Sequence, residues 1–198
     1  AGMSSALNLA NQGFEVTFVE KSHQLGGNAT HIYRTLNGSD VQSFLHNLIE
    51  KVNDHPLIHV YLGSQVVDSS GYVGNFTTKL NVGNGTEEEI KHGITILAIG
   101  GHPYQPKEYF YGKDGRVCTA MELEENLVHH PEKYKNCNNV VMVQCVGSRN
   151  DELPYCSRIC CGKSIKNALK LKELNPETEI YILYRDMRTY GLMEDYFK

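Results

Sequence analysis

The chain has 198 residues, of which 40% are hydrophobic and 21% charged, and this composition is typical of a globular α/β protein. The formal net charge of −4 gives no basic excess, so nucleic acid is not expected as a partner. No apolar run approaches the roughly 20 residues of a transmembrane segment, and the first residues lack the basic and apolar regions of a signal peptide.

The first predicted elements form part of a nucleotide-binding βαβ unit. Small and apolar residues at helical spacing predict a helix over residues 2–11, with Gly13 placed to end it. A strand over residues 14–19 then leads to Glu20. In a dinucleotide-binding unit, a glycine such as Gly2 lets the helix pack closely on the sheet, and the acidic residue binds a ribose. The first strand and the first two glycines of such a unit are missing, which predicts that the natural protein begins upstream.

A glycine pair strengthens the nucleotide interpretation. Glu20 and Lys21 are followed by Gly26 and Gly27, where a backbone can approach a ligand closely, although an ordinary turn is the alternative. The arrangement resembles the FAD-binding half of two-domain flavoproteins of the thioredoxin and glutathione reductase type. This resemblance implies that Glu20 holds the adenosine ribose and that the glycine pair lies along FAD, with Lys21 counted among the cofactor-binding residues.

Further elements complete a predicted FAD-binding lobe over residues 1–102. A helix and four strands are expected at residues 40–53, 57–62, 64–68, 76–80 and 94–99, with a hairpin signal at Asn84 and Gly85. The last strand is predicted to be buried and to end at Gly100. In the resembling flavoproteins, the positions of Val67, Ala98 and Gly100 contact the cofactor. The alternative for residues 94–100 is a core strand followed by a glycine turn.

Residues 103–138 are predicted to connect two lobes. They contain three of the six prolines, Pro103, Pro106 and Pro131. Thr119 and Glu122 have the spacing of a capping box, which predicts the start of one helix.

Residues 139–198 are predicted to form a second Rossmann-like lobe, incomplete at its C-terminal end. A strand over residues 140–144, a helix over 161–173 and a strand over 179–184 give a second βαβ pattern. The turn after the first strand of such a lobe normally carries phosphate-binding glycines. Here four thiols take their place: Cys145, Cys156, Cys160 and Cys161.

These cysteines could be secreted disulfides, but adjacent cysteines such as Cys160 and Cys161 rarely bridge each other. With no targeting signal, we expect a cytoplasmic protein whose thiols bind a metal or do redox work. The spacing lacks the two close cysteine pairs of a typical zinc site and favours a [4Fe–4S] cluster. Arg149, Arg158 and the helix N-terminus would stabilise a negative cluster. Zinc, a redox dithiol and simple buried cysteines remain the alternatives.

Three motifs resemble the FAD- and iron–sulfur-containing flavoprotein subunit of heterodisulfide reductase, the type A subunit, and its bacterial relatives: QCVGSR at 144–149, PYCSRICC at 154–161 and YRDMRTYG at 184–191. The likeness continues over residues 71–76 and 166–173. It implies a protein with FAD and [4Fe–4S] clusters, working with other subunits and with ferredoxin or hydrogenase-type redox partners. A ferredoxin-type cysteine insertion is missing between Leu80 and Gly93. Its absence predicts a bacterial-type member and questions a full electron-bifurcating apparatus.

The predicted fold is therefore α/β, with two incomplete Rossmann-like βαβ lobes. The predicted function is electron transfer between FAD and a [4Fe–4S] cluster in a heterodisulfide reductase-like complex. Lys166, one turn beyond the cysteine pair, is a speculative charge beside the flavin, and a solvated helix lysine is the alternative. Two other functions stay open: an NAD(P)H-dependent disulfide reductase that uses Cys160 and Cys161 as its redox pair, and a zinc-bound scaffold.

Overall fold

A computed structural model describes residues 1–83 and 85–198, which fold into two compact units. The first unit comprises Ala1–Thr30 and Val41–His102, and the second comprises His31–Asp40 and Pro103–Lys198. The second unit therefore takes in a ten-residue segment from the N-terminal half and the whole stretch that the sequence suggests as a connection.

The first unit begins with the helix and strand that its sequence predicts as the second half of a βαβ unit. Its elements are α1 (Gly2–Asn11), β1 (Val16–Val19), a 3₁₀ helix (Gly27–His31), α2 (Val41–Asn53), β2 (Ile58–Tyr61), β3 (Gln65–Tyr72), β4 (Asn75–Asn81) and β5 (Glu87–His92). Strands β1 and β2 pair in parallel, with Val16 opposite Ile58, and α2 supplies the crossover between them. Leu45 and Val52 of α2 are buried against small and apolar residues of α1.

Strands β3, β4 and β5 form a separate antiparallel sheet with β4 in the centre. Leu80 on β4 is 1% exposed and fixes one face of this sheet by burial. The chain turns between β4 and β5, where the N–H of Val82 donates to the carbonyl of Thr86 at 3.0 Å. Asn84, half of the predicted hairpin signal, lies outside the described residues.

The buried strand expected over residues 94–99 is not formed, so that prediction is wrong. The segment has no strand pairing, and its apolar side chains are exposed, with Leu97 81% and Ile99 91% accessible. A parallel strand exists through hydrogen bonds to a neighbour. In the described part of the chain, β1 and β2 form a two-stranded sheet that residues 94–99 do not join. The apolar composition of this segment could not reveal the absence of a partner.

The second unit contains the second predicted βαβ pattern. Its elements are α3 (Ala120–His129), a 3₁₀ helix (Pro131–Lys133), β6 (Asn139–Val143), α4 (Cys160–Leu174), β7 (Glu179–Leu183), a 3₁₀ helix (Gly191–Met193) and α5 (Glu194–Phe197). Strands β6 and β7 pair in parallel, with α4 as the crossover. The core joins Leu123 and Leu127 of α3 to Met142 of β6 and Leu171 of α4.

Two smaller findings complete the fold. The predicted capping box is confirmed: the hydroxyl of Thr119 accepts from the N–H of Glu122, and the Glu122 carboxylate accepts from the N–H of Thr119 at 2.6 Å. Of the helices in residues 1–83 and 85–198, none has the length and the apolar run needed to span a bilayer.

Candidate functional site

Gly2 allows α1 to pack closely in the first unit. A Cβ atom at this position would lie 3.1 Å from the Phe18 ring and 3.4 Å from the Cβ of Ala98. The first distance is tighter than an ordinary van der Waals contact, so a larger residue would push α1 away from β1. Gly2 thus allows α1 to lie close to Phe18 of β1 and to Ala98.

The glycine pair occupies backbone conformations that other residues rarely adopt. Gly26 has a φ of +122° and Gly27 a φ of +52°, and a Cβ on Gly26 would lie 2.7 Å from a methyl group of Thr30. The side-chain amide of Asn28 then donates to the carbonyl of Gly101 at 2.8 Å. This bond holds the glycine pair near the segment that contains Gly100. Sequence reasoning missed Asn28, since no local pattern signals a contact across 73 residues.

The remaining residues predicted to bind the cofactor also lie in the first unit. Glu20 follows β1, donates its backbone N–H to Tyr61, and accepts the N–H of Ser22 on Oε1 at 2.8 Å. Lys21 beside it is exposed. Val67 lies apart in the antiparallel sheet, 56% exposed, where the pairing register shifts between β3 and β4. Glu20 therefore presents a partly exposed carboxylate that is oriented by its own turn.

The cysteine loop of the second unit has an unusual backbone. Cys145, Arg149 and Arg158 all have a positive φ, of 60°, 57° and 61°. For non-glycine residues this left-handed conformation costs about 1–3 kcal/mol each and persists only where the surroundings enforce it. Such residues cluster at functional sites, so the loop between β6 and α4 has the character of a built site.

Three thiols are neighbours at the carboxyl end of β6. Cys145 follows β6 closely, while Cys160 and Cys161 open α4, whose N-cap residue provides no side-chain hydrogen bond. Burial raises the pKa of the Cys161 thiol, the backbone N–H of Arg188 lowers it through a hydrogen bond, and the adjacent Cys160 and Cys145 raise it again. The net effect is a raised pKa for Cys161, to which both other thiols contribute.

The fourth thiol, Cys156, lies in the same loop. Its sulfur accepts the N–H of Arg158 at 3.3 Å. The hydroxyl of Ser157 donates to the sulfur of Cys160 at 3.8 Å. The charge of Arg188 also acts on the Cys156 thiol, after its stronger interaction with Asp186, and both raise the pKa of Arg188.

The donor chemistry of this loop suits a four-iron cluster. Within residues 1–83 and 85–198, no three His, Cys, Asp or Glu side chains converge in a way that could hold a metal ion. A cubane cluster makes a different demand, because each thiolate binds its own iron and the four sulfurs surround the cluster. The loop has four thiols, one for each iron. It also has arginines and an uncapped helix N-terminus, which are positive groups suited to a negatively charged cluster. The ligand set Cys145, Cys156, Cys160 and Cys161 stays a prediction.

Lys166 belongs to a buried group of charges that the sequence did not reveal. Its amine lies 2.7 Å from Oε1 of Glu124 and 2.7 Å from the carbonyl of Arg34. Lys163 lies 3.1 Å from Oε2 of the same carboxylate. The side chains of Glu124, Lys163 and Lys166 are only 6%, 12% and 14% exposed. The alternative of a solvated helix lysine is therefore wrong for Lys166, and its speculative flavin role stays untested.

A family model described as pyridine nucleotide-disulphide oxidoreductase matches residues 1–143, well over half of the chain. Several curated relatives match the whole chain, including the following two. A type A iron–sulfur subunit of the CoB–CoM heterodisulfide reductase of Methanopyrus kandleri is 28% identical over 291 aligned positions. The type A subunit of the H₂/formate:CoB–CoM heterodisulfide, ferredoxin reductase of Methanococcus maripaludis is 26% identical over 289. The chain covers 44% of each relative's length. The resemblance to the type A subunit of heterodisulfide reductase is confirmed.

One solved structure supports the fold class. The crystal structure of L-proline dehydrogenase from P. horikoshii is similar with a TM-score of 0.51 and 17% identity, over 97% of this chain and 35% of that one. Together with the family match, this likeness confirms the predicted α/β Rossmann-type fold.

Proposed function

Since the chain belongs to the pyridine nucleotide-disulphide oxidoreductase family, we propose that it passes electrons between FAD, held by the first unit, and a [4Fe–4S] cluster, held by the second. The observation that carries this proposal is the cysteine loop. Four thiols with two arginines stand at the carboxyl end of β6, where a pyridine-nucleotide lobe carries phosphate-binding glycines. The presence of cysteines where phosphate-binding glycines are expected favours an electron-carrying cluster over a second bound nucleotide at that turn.

The proposed roles follow from the chemistry of the residues. Cys145, Cys156, Cys160 and Cys161 would each give one thiolate to an iron, and the bound cluster would accept and release single electrons. Burial of Cys161 would keep water away from one side of the cluster. Arginine side chains near the sulfurs would balance part of the negative charge of the thiolates.

The residues proposed for FAD lie in the first unit. Gly2, Gly26 and Gly27 would let the backbone approach the nucleotide, and Glu20 would accept hydrogen bonds from the adenosine ribose. Lys21, Val67, Ala98 and Gly100 complete the proposed set. The names of the relatives support a place for the whole protein in a heterodisulfide reductase-like complex with ferredoxin as one redox partner. Hydrogenase-type partners and a cytoplasmic location belong to the same proposal.

The full-length protein, purified without oxygen, tests this proposal through its cofactor content. We expect FAD, with about four iron and four sulfide for the cluster of this loop, on the stoichiometry of a cubane. Stoichiometric zinc without iron would contradict the proposal and support the scaffold alternative. Direct reduction of the flavin by NADPH, abolished by mutating the turn after β6, would favour a disulfide reductase.

Glu20→Ala is expected to lower FAD affinity at least tenfold. The substitution removes charge-assisted hydrogen bonds to the ribose, each worth about 1.5–3 kcal/mol. Titration of the flavin-free full-length protein with FAD measures the effect. Glu15→Ala is the matched control, because Glu15 is also an exposed carboxylate, paired with His59 at 2.8 Å just before β1. Equal losses in both variants, or unchanged affinity in Glu20→Ala, would contradict the role of Glu20.

A further inference from the structure

The motif YRDMRTYG at 184–191 contributes only Arg188 to the function proposed above, although the whole motif lies at the same edge of the sheet as the thiols. It follows β7, which ends at Leu183, while Cys145 follows β6, which ends at Val143. Because β6 and β7 are parallel, with Val143 opposite Leu183, their carboxyl ends meet at one edge. The topology thus brings the motif to the cysteine loop.

Asp186 of this motif joins two arginines. One carboxylate oxygen accepts from Nη1 of Arg149, and the other accepts from Nε of Arg188 at 2.6 Å. The side chain of Arg149 is 19% exposed and that of Arg188 is 35% exposed, so water competes only in part for these bonds. Asp186 therefore fixes the direction of two guanidinium groups.

One of these guanidinium groups also contacts a thiol: Nη1 of Arg149 lies 3.9 Å from the sulfur of Cys145. The Asp186 carboxylate and, to a smaller extent, the Cys156 thiol raise the pKa of Arg188, so the charge of Arg188 also acts on a thiol of the loop. One carboxylate thus holds both arginines at the cysteine loop.

A second bond from the motif holds the backbone of the cysteine loop. Nη1 of Arg185 donates to the carbonyl of Arg149 at 2.5 Å. Arg149 has the left-handed φ of 57°, which needs support from its surroundings. The motif supplies this support from two neighbouring residues, Arg185 and Asp186.

We propose that Asp186 is a positioning residue, which holds Arg149 and Arg188 beside the thiols so that their charges set the reduction potential of the cluster. This proposal rests on the proposed function, because it needs the cluster. Reduction adds one negative charge to the cluster, and positive groups at the sulfurs stabilise that state. The pair of arginines should therefore raise the potential.

The test is a redox titration of the full-length protein. Its progress is monitored by the electron paramagnetic resonance signal that Cys156→Ala removes. Arg188→Gln is expected to lower the potential, and Arg188→Lys, which keeps the charge, is expected to recover most of it. Arg116→Gln makes the same charge change at an arginine whose side chain is 90% exposed and paired with Asp114. We expect this control to leave the potential unchanged.

Asp186→Asn separates positioning from simple charge. Loss of one negative charge alone would raise the potential, whereas release of both arginines from the thiols lowers it. We expect a potential at or below that of Arg188→Gln, with iron and sulfide retained. A rise, or no change, overturns the proposal.

Cluster content decides the remaining outcomes. If Arg188→Gln loses its iron, a cluster retained in Arg188→Lys supports the proposal, and loss from both variants overturns it. Wild-type protein without iron and sulfide overturns the proposed function and this proposal together. Wild-type protein that contains the cluster, with no lowered potential in any variant, overturns this proposal alone.

Discussion

Replacing Cys156 by alanine is expected to remove the proposed four-iron cluster and its brown absorbance from the full-length protein. Each iron of a cubane needs one ligand from outside the cluster, so three thiols leave one iron exposed to solvent and to loss. The same result is expected for Cys145→Ala, Cys160→Ala and Cys161→Ala. Iron and sulfide per protein, with electron paramagnetic resonance of the reduced protein, measure the loss.

Two cysteines of the same unit serve as controls for this experiment. Cys118 is exposed just before α3, and the thiol of Cys137 donates to the carbonyl of Asn139 at 3.4 Å. Cys118→Ala and Cys137→Ala are expected to keep the full cluster content. A full cluster in Cys156→Ala would contradict the ligand set. An equal loss in the controls would show that these four positions have no special role.

Much of the fold could be predicted because its signals are local. The spacing of Met3, Ala6 and Ala10 predicted α1, and these same residues are buried in the core of the first unit. The capping box of Thr119 and Glu122 likewise predicted the start of α3. The second βαβ pattern, with β6 and β7 in parallel, followed from the order of its strand, helix and strand, since a parallel pair needs a crossover.

The errors and omissions involve residues that are distant in the chain. The strand expected over residues 94–99 is not formed, since a segment becomes a strand only by pairing with a strand from elsewhere in the chain. The allocation of His31–Asp40 to the second unit was also missed. It involves a bond from the N–H of Tyr33 to Glu124, across 91 residues. No periodicity or turn signal reports such contacts.

The candidate site divides in the same way. Spacing and residue type identified the thiols, because cysteines near one strand–helix junction form a local signal. The roles of Asp186 and Glu124 could not be read from the sequence. A carboxylate in a loop or on a helix gives no sequence signal of its partners. Only the fold shows that Asp186 and Glu124 each pair with two cationic side chains.

Glu124→Gln is expected to destabilise the second unit by about 3 kcal/mol. Removing one partner of a buried ion pair leaves the others without compensation, at a cost of about 3–5 kcal/mol. The lower end applies because the amines of Lys163 and Lys166 retain some contact with water. Hydrogen-exchange protection of α4 and of residues 31–36 in the full-length protein should fall about 100-fold, since 1.4 kcal/mol corresponds to a factor of ten.

The charge state of Glu124 fixes the conditions of this measurement. Burial raises the pKa of its carboxyl. Hydrogen bonds from Lys166 and the Tyr33 N–H, together with the charge of Lys163, lower this pKa by more, so that it lies below the ordinary 4.5. A carboxyl with a lowered pKa stabilises the fold fully above its unfolded pKa, and this stabilisation is lost as the pH falls through the folded pKa. The difference between wild type and Glu124→Gln is therefore complete at pH 7.

Lys163→Met provides the matched control for Glu124→Gln. Burial lowers the pKa of Lys163, and its attraction to Glu124 offsets only part of this effect. The protein therefore stabilises the charged form of Lys163 less well than water does. Lys166 would still pair with Glu124 at 2.7 Å after the substitution. No buried charge is then left without a partner, which is what makes the loss of Glu124 costly. We therefore expect protection of α4 in Lys163→Met to change less than tenfold, and a loss equal to that of Glu124→Gln would contradict the central role of the carboxylate.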